Sequence, residues 1–168
     1  RLLALAEVLW TPKEKRNEAD FIQRLEKEFP RLAEMKVNAS KSLYQVRLVP
    51  RPGAQPGTVA LSISSDASRS AAMYRREEGY SEPESLATVI DGYYHQPLEL
   101  DQNCRIEGFL VDTLDGEVVK KYPTSRQEFK FNKATAQPIT LSVQPNERYA
   151  MGGAFTLVDG ITAQQKRV

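Results

Sequence analysis

The feature that most constrains the fold is a run of apolar residues at the start of the chain, RLLALAEVLW, whose side chains cover every side of a helical wheel. A helix that is apolar all round is normally buried inside a large structure. The run is too short to span a bilayer, and no run of charge precedes it as in a signal peptide. We therefore expect the helix from Leu2 to Trp10 to pack against a large body N-terminal to Arg1, with Trp10 as a core side chain.

A second helix is predicted after Asn17, because this residue type often caps helices and acidic residues follow in the first turn. One stripe recurs at helical spacing and predicts the buried face; its members are Phe21, Ile22, Leu25, Glu26 and Phe29. Pro30 is expected to interrupt the helix, with a short helical turn following it. The charges of Glu26, Lys27 and Glu28 are nevertheless interpreted as a solvent-exposed helix face.

From Leu43 onward the spacing of apolar residues changes from about 3.6 to 2, which indicates strands. The predicted strands are 43–49, 58–63, 71–76, 86–90, 104–114, 117–122, 127–131 and 139–143. The clearest is 104–114, where Cys104, Ile106, Gly108 and Leu110 share one face. Asp115-Gly116 predicts a tight hairpin, Asp91-Gly92 predicts a turn, and a Pro- and Gly-rich loop is predicted from Pro50 to Gly57.

The start of the chain resembles the last helices of the catalytic barrel of glycoside hydrolase family 20, the β-N-acetylhexosaminidases. The family typically shows Pro-Arg, a small or apolar run, Ala-Glu, an apolar pair, Trp, and then Ser or Thr. The corresponding residues here are Arg1, Leu2 to Leu5, Ala6-Glu7, Val8-Leu9 and Trp10-Thr11. This resemblance covers about the first forty residues.

The middle of the chain is similar to the small β-sandwich that follows the barrel in many family 20 enzymes. The similarity rests on Met73-Tyr74-Arg75, Ser81-Glu82-Pro83, Tyr93-Tyr94, Pro97-Leu98 and the strand from Ile106 to Leu114 with its Asp115-Gly116 turn. The chain departs from the family where Arg75 to Gly79 replaces a usual Thr-Asp-Gly, and where the insert from Glu84 to Gly92 is long.

The last part of the chain resembles the beginning of a galactose-binding-like discoidin domain, in which Leu-Val-Asp-Gly-Ile commonly precedes the main body. Here these residues are Leu157 to Ile161. Because a lone hairpin is marginal in water, we expect this segment either to pair with an edge of the sandwich or to be loosely ordered.

Together these resemblances imply a mainly β fold with N-terminal helices: an immunoglobulin-like β-sandwich preceded by the terminal helix or helices of a truncated TIM barrel. They divide the chain into three parts. Residues 1–40 are the C-terminal helices of the (β/α)8 barrel, residues 41–132 are the sandwich, and residues 133–168 lead into a following galactose-binding-like domain.

Composition excludes several classes of function. With 23 basic and 22 acidic residues, the chain has no charge excess that would favour nucleic acid or an anionic membrane. It has one cysteine and one histidine, so neither a disulfide framework nor a cysteine- or histidine-rich metal site is expected. We expect no cofactor, and Cys104 is interpreted as a small packed hydrophobe.

Several residues allow both a functional and a structural interpretation, and the structural one is favoured for each. His95 is interpreted as a loop residue beside aromatic side chains, and Tyr80, Tyr93 and Tyr94 as rim residues of the sandwich instead of a carbohydrate-binding patch. Asp112, Asp115 and Glu117 lack the ligand spacing of a calcium loop and are assigned to a turn. Glu7 and Arg1 are expected to form buried or half-buried ion pairs in the intact barrel, since an unpaired buried charge is costly.

The family resemblance implies a parent enzyme that removes terminal N-acetylhexosamine from glycans, with the substrate's acetamido oxygen as nucleophile and an adjacent Asp-Glu pair as catalytic residues. No Asp-Glu dipeptide occurs in the chain, so no catalytic, substrate-binding or metal-binding residue is assigned. The sandwich is expected to be a structural accessory of an exported glycosidase. The alternative is an independent carbohydrate-binding or adhesive sandwich. We also expect no membrane insertion. The apolar helix is expected to be hidden against the chain's own sandwich or in a dimer.

Overall fold

The computed structural model describes residues 2–78, 88–143, 146 and 153–161. These residues contain two α-helices, α1 (Leu2–Trp10) and α2 (Glu18–Glu34), followed by a set of strands. The strands are β1 (Arg47–Pro52), β2 (Val59–Ser64), β3 (Ala71–Glu78), β4 (Thr88–Tyr93), β5 (Leu98–Leu100), β6 (Cys104–Leu114), β7 (Glu117–Lys121) and β8 (Ser125–Phe129). Short 3-10 helices occupy Lys13–Lys15, Ser42–Tyr44 and Gly153–Leu157.

The strands form two antiparallel sheets, as expected for a mainly β sandwich. The first sheet has the order β1-β2-β5, and the second has the order β4-β3-β6-β7 with β8 also paired to β6. The long strand β6 pairs with β3 along one side. Its other side pairs with β8 in the first half and with β7 in the second half.

The core between the sheets follows from alternation in β2 and β6. Val59, Leu61 and Ile63 of β2 are buried, as are Ile106 and Leu110 of β6. A side chain at Gly108 would place its Cβ 2.9 Å from a Leu48 methyl group and near methyl groups of Val46 and Ile63. The glycine therefore lets the two sheets approach closely at this point, and the predicted inner face of β6 is confirmed.

Helix α2 packs on the sandwich through Leu25, Glu26 and Phe29 of the predicted stripe. Asn17 caps it, since the Asn17 side chain accepts a hydrogen bond from the Asp20 amide at 3.1 Å. The helix continues through Pro30 to Glu34 without the predicted break. Phe29 joins a buried cluster with Tyr44, Val46, Ile63, Leu110 and Tyr122, so this cluster connects the helix to both sheets.

Helix α1 makes little contact with the rest of the described chain, and none of its residues is buried. Trp10 is 86% exposed, so the expected core position of this side chain is not found within the chain. Two polar links hold α1 to the residues that follow it. Glu7 forms an ion pair with Arg24 at 2.8 Å, and the Arg16 guanidinium donates a hydrogen bond to the Val8 carbonyl at 2.6 Å. The sandwich therefore does not cover the apolar helix.

Four details of the strand prediction were wrong. Ser42–Tyr44 is a 3-10 helix, so β1 begins at Arg47 and extends through Pro52 into the predicted loop. Proline is tolerated there because β1 is an edge strand, where a missing N–H costs no ladder hydrogen bond. Asp91-Gly92 lies inside β4 because it pairs with β3 across the sheet. Residues 139–143 form no strand, whereas β5 was not predicted.

The segment 153–161 packs on the edge of the sandwich, which confirms one of the two expected outcomes for this part of the chain. The Lys130 amide donates a hydrogen bond to the Gly160 carbonyl at 2.8 Å, and the Ala136 amide donates to the Val158 carbonyl at 2.7 Å. Ile161 forms a β-bridge with Phe129. Phe155 and Ile161 of this segment pack against the sandwich core, whereas Leu157 is 68% exposed.

Some predictions fall outside the described residues. They concern Arg1, Tyr80, Ser81-Glu82-Pro83 and the first residues of the strand predicted at 86–90. Among the residues that are described, neither helix has the length and apolar character needed to cross a membrane.

Candidate functional site

A cavity of about 510 Å³ lies where α2 meets the sandwich, and we call it the α2 groove. One helix, three connecting segments and two strands contribute to its walls. Its lining residues are Glu26, Phe29, Pro30, Ala33, Lys41, Tyr44, Arg69, Ser70, Asp112, Thr113, Lys120 and Tyr122. The groove thus combines aromatic, acidic and basic side chains from distant parts of the sequence.

Two stacked tyrosines form the aromatic wall of the α2 groove. The rings of Tyr44 and Tyr122 lie 4.0 Å apart between centroids and are nearly parallel, at 11°. Phe29 packs against Tyr44 at a centroid distance of 5.7 Å. Burial, followed by the hydrogen bond to Tyr122, raises the pKa of Tyr44 above its ordinary value. Burial and the Asp112 carboxylate likewise raise the pKa of Tyr122, so both hydroxyls keep their protons at neutral pH.

The two carboxylates of the groove are held by hydrogen bonds from hydroxyl and amide groups. Asp112 accepts from the Ser70 hydroxyl at 2.6 Å and from the Tyr122 hydroxyl at 2.7 Å. Glu26 accepts from the Ser68 amide at 3.0 Å and from the Ser68 hydroxyl at 2.5 Å. Both oxygens of each carboxylate thus have protein donors: Glu26 joins α2 to the connection between β2 and β3, and Asp112 joins β6 to Ser70 and Tyr122 within the sandwich.

Glu26 therefore corrects the prediction of a solvent-exposed charged face, since only 7% of this residue is exposed. Its place on the apolar stripe of α2 directs it toward the sandwich, where Ser68 supplies two donors. Glu28 is half-buried and Lys27 is exposed, as predicted for Lys27. A buried carboxylate with strong hydrogen bonds is tolerated, whereas one without donors would be costly.

Three basic side chains, Lys41, Arg69 and Lys120, lie on the rim of the groove and are exposed. The Lys120 ammonium lies 4.6 Å from the Tyr122 ring centroid, and the Lys41 ammonium lies 5.2 Å from that of Phe29. Such distances are typical of cation–π contacts. None of the three forms an ion pair with a residue in the described part of the chain.

Asp115-Gly116 forms the turn of the β6–β7 hairpin, as predicted, whereas Asp112 lies in β6 and Glu117 is the first residue of β7. Asp115 and Gly116 both adopt positive φ angles, 52° and 84°, as a two-residue hairpin turn requires. Asp112 points into the α2 groove instead of toward this turn. Within the ranges that the structure describes, no group of three or more His, Cys, Asp or Glu side chains is placed to hold a metal ion.

The remaining candidates for ligand binding, His95, Tyr93 and Tyr94, do not form a cluster of exposed rings on one element. His95 is exposed in the loop between β4 and β5, and its ring lies 6.4 Å from that of Tyr93. Tyr94 is half-buried and packs on the cluster beneath α2. Among the aromatic residues that the structure describes, only Trp10 and Tyr93 are exposed. They lie on separate elements, one on α1 and the other on β4.

Cys104 is placed as the sequence predicts, whereas Glu7 has a partner that was not identified from the sequence. Cys104 is buried in the sandwich core, and burial raises the pKa of its thiol to about 11, which keeps it protonated and unreactive. Glu7 is half-buried and paired with Arg24, whose hydrogen bond lowers the pKa of the Glu7 carboxyl. The partner of Glu7 therefore lies within the chain, on α2, and not in a barrel as expected from the sequence; half of the Arg24 side chain is exposed.

Sequence reasoning did not identify the basic rim of the α2 groove. Lys41 follows α2, Arg69 precedes β3, and Lys120 is on β7, so no local motif joins them. Comparison of the chain with protein-family models and with curated proteins finds no match.

Proposed function

We propose that this chain is the non-catalytic C-terminal portion of a glycoside hydrolase family 20 β-N-acetylhexosaminidase. The parent enzyme removes terminal N-acetylhexosamine from glycans by substrate-assisted retaining hydrolysis. Its catalytic groups belong to a barrel that packs against α1, and the sandwich acts as a structural accessory. The observation that carries this proposal is the exposure of α1, together with the sequence resemblance of the same helix to the end of the family 20 barrel.

The exposed apolar surface of α1 is evidence that this helix docks on a large apolar partner. Its exposed large apolar side chains are Leu2, Leu3, Leu5, Val8, Leu9 and Trp10. Fully burying such a side chain contributes roughly 2 kcal/mol, so covering this helix contributes on the order of 10 kcal/mol. An apolar surface of this kind marks an interaction site in a folded protein. A (β/α)8 barrel is a suitable partner because its helices form an outer ring that packs on the barrel strands.

The acidic residues of the chain are consistent with an accessory role. The adjacent Asp-Glu pair that the family resemblance implies is absent from the sequence. Glu26 and Asp112 have their oxygens engaged by Ser68, Ser70 and Tyr122. The reaction is therefore assigned to the barrel, and the N-acetylhexosamine glycan contacts the barrel. Export of the enzyme is proposed on the family resemblance alone.

The alternative function is an independent carbohydrate-binding or adhesive sandwich. A module of this kind would present several exposed aromatic side chains on one face or in one loop cluster, since flat aromatic rings stack on sugars. Of the aromatic residues in the described ranges, Trp10 and Tyr93 are exposed, and they lie on different elements. This distribution favours the accessory role.

Hydrolysis of a chromogenic N-acetylglucosaminide tests the proposed function. The 168-residue chain is compared with a version extended upstream to include the whole barrel. We expect hydrolysis by the extended protein only. Hydrolysis by the 168-residue chain would place catalytic groups here and overturn the accessory role, whereas inactivity of both would overturn the family assignment.

Trp10 provides a second test because it is the only tryptophan and lies on the proposed docking helix. We expect its fluorescence to be that of an exposed indole in a dilute solution of the 168-residue chain, and to shift to the blue in the extended protein. Without the barrel, we also propose that the chain dimerises through α1, so the same blue shift should appear as its concentration rises. An exposed indole in the extended protein would contradict docking of α1 on the barrel.

A further inference from the structure

We propose that the α2 groove binds a small ligand that carries an oxyanion, such as a carboxylate, sulfate or phosphate group. The oxyanion site is inferred from the side chains of the groove alone, while the choice of N-acetylglucosamine probes for its test rests on the proposed function. The groove is a feature of the helix–sandwich junction, whereas the proposed docking to the barrel uses α1.

The basic rim supplies the charge that an oxyanion requires. Lys41, Arg69 and Lys120 line the same cavity and have no acidic partner among the described residues. The guanidinium of arginine presents two parallel donors to an oxyanion, and lysine contributes a point charge. Arg69 is therefore assigned as the main anion-binding residue, with the two lysines adding electrostatic attraction.

The acidic residues of the groove do not neutralise the positive charge of the basic rim. Glu26 and Asp112 are the two carboxylates in the lining, against three basic side chains. The oxygens of both carboxylates accept hydrogen bonds from Ser68, Ser70 and Tyr122. The rim cations thus remain available to an external anion, while the carboxylates keep the walls in position.

The size and walls of the groove fit an anion attached to a small organic body. Its volume of about 510 Å³ lies within the range of small-molecule sites, about 300 to 1,000 Å³. Phe29 and the Tyr44–Tyr122 pair provide apolar walls, and Thr113 is a further polar lining residue. A bare inorganic ion uses only the basic rim, so we expect it to bind more weakly than the same anion on a sugar-sized ring.

Isothermal titration calorimetry on the 168-residue chain tests this site. The probes are inorganic sulfate, N-acetylglucosamine 6-sulfate, N-acetylglucosamine 6-phosphate and neutral N-acetylglucosamine, all at one fixed ionic strength. We expect both charged sugars to bind more tightly than sulfate, and the neutral sugar to show no binding. The two charged sugars also distinguish a sulfated source from a phosphorylated one by their relative affinities.

Substitutions on the rim identify the residues responsible. Arg69→Gln should weaken binding of the charged sugars about tenfold or more, because it removes a charge-assisted pair of hydrogen bonds. Lys120→Gln should have a smaller effect. Arg51→Gln is the matched control, since Arg51 is an exposed arginine on β1 outside the groove. Arg69 and Arg51 are exposed, so we expect unchanged circular dichroism melting curves for their variants, whereas Lys120→Gln also removes the cation–π contact with Tyr122.

A two-dimensional NMR spectrum of the backbone amides detects binding independently of the heat that calorimetry measures. The amides of Ser68 and Ser70 adjoin the hydrogen bonds of Glu26 and Asp112, and we expect their signals to move when a charged sugar is added. The proposal is overturned if no charged probe binds, if neutral N-acetylglucosamine binds as tightly, or if Arg69→Gln and Arg51→Gln have equal affinities. None of these outcomes affects the hydrolysis test, so the two proposals fail separately.

Discussion

The two helices of this protein invert the usual relation between composition and burial. α1 is almost entirely apolar and has no buried residue, whereas the buried residues of α2 include a glutamate. The difference arises from their partners. Phe29 and Glu26 of α2 meet aromatic rings and hydroxyl groups of the sandwich, while no described element covers α1. Whether a helical side chain is buried therefore depends on which groups the rest of the fold packs against that face of the helix.

The same contrast applies to how each helix is stabilised. A helix as short as α1 is marginal on its own in water, and its links to the described chain are polar ones through Glu7 and the Val8 carbonyl. An apolar recess of about 320 Å³ separates it from α2, lined in part by Leu3, Trp10, Phe21 and Leu25. α2 instead has a cap, an apolar stripe and a buried hydrogen-bonded carboxylate. Substitutions in the two helices should therefore have very different effects.

The largest difference is expected between Phe29→Ala in α2 and Leu9→Ala in α1. Phe29 is 8% exposed and Leu9 is 70% exposed. Removing the Phe29 ring leaves a cavity in the cluster under α2 and should lower the free energy of unfolding by about 3 to 5 kcal/mol. Leu9→Ala should change it by less than about 0.5 kcal/mol. Urea unfolding followed by far-UV circular dichroism measures both.

The concentration dependence of this measurement sharpens the comparison. A Leu9→Ala effect that grows with protein concentration would support a dimer through α1. A Leu9→Ala effect as large as that of Phe29→Ala in dilute solution would contradict the exposed position of α1.

The next largest effect concerns the buried charge of α2. Glu26→Ala leaves the Ser68 amide and hydroxyl without their acceptor, and it should lower the free energy of unfolding by about 1 to 3 kcal/mol. Glu34→Ala is the matched control, because Glu34 is an exposed glutamate of the same helix. In a double-mutant cycle, Ser68→Ala should cost much less when Glu26 is already absent. Equal costs for Glu26→Ala and Glu34→Ala would show that the carboxylate does not connect helix and sandwich.

A smaller effect is expected at the start of α2. Asn17→Ala removes the acceptor for the Asp20 amide and should lower the free energy of unfolding by about 1 kcal/mol. Asn17→Ser keeps a capping oxygen and should recover most of the loss. If Asn17→Ser is as destabilising as Asn17→Ala, the cap is not the source of the effect.

Local patterns in the sequence predicted the parts of the fold that depend on neighbouring residues. The alternation in β2 and β6, the Asp115-Gly116 turn and the Asn17 cap each follow from a few adjacent positions. β5 was missed because its residues, Leu98–Leu100, are too few to show a period. Asp91-Gly92 has the composition of a turn, but it forms part of β4 because its backbone pairs with Tyr74 and Arg75 of β3.

The α2 groove was missed for a different reason. Ser68 lies 42 positions from Glu26, the residue it binds, and Tyr122, which follows β7, stacks on Tyr44 from a distant part of the sequence. No spacing rule connects such residues, and only the folded chain brings them together. The exposure of Trp10 could not be predicted for the same reason. An all-apolar helix predicts that its side chains are buried, but it does not identify the partner that buries them.

The smallest effect is expected at the Glu7–Arg24 pair, the ion pair that links the two helices. The Arg24 hydrogen bond lowers the pKa of Glu7 below its ordinary value of 4.5. A carboxyl whose pKa is lower in the folded state contributes stability above its ordinary pKa, and this contribution is lost as the pH falls through the lowered pKa. We therefore expect the fluorescence anisotropy of Trp10 to fall in acid below that range, as α1 loosens from α2. Added salt should weaken the link at neutral pH, because half of the Arg24 side chain is exposed.

Glu7→Gln should give low anisotropy at every pH. Glu14→Gln is the control, because Glu14 is an exposed glutamate before α2, and this variant should keep the wild-type profile. An unchanged profile in Glu7→Gln would mean that α1 is positioned by its apolar contacts instead of this ion pair.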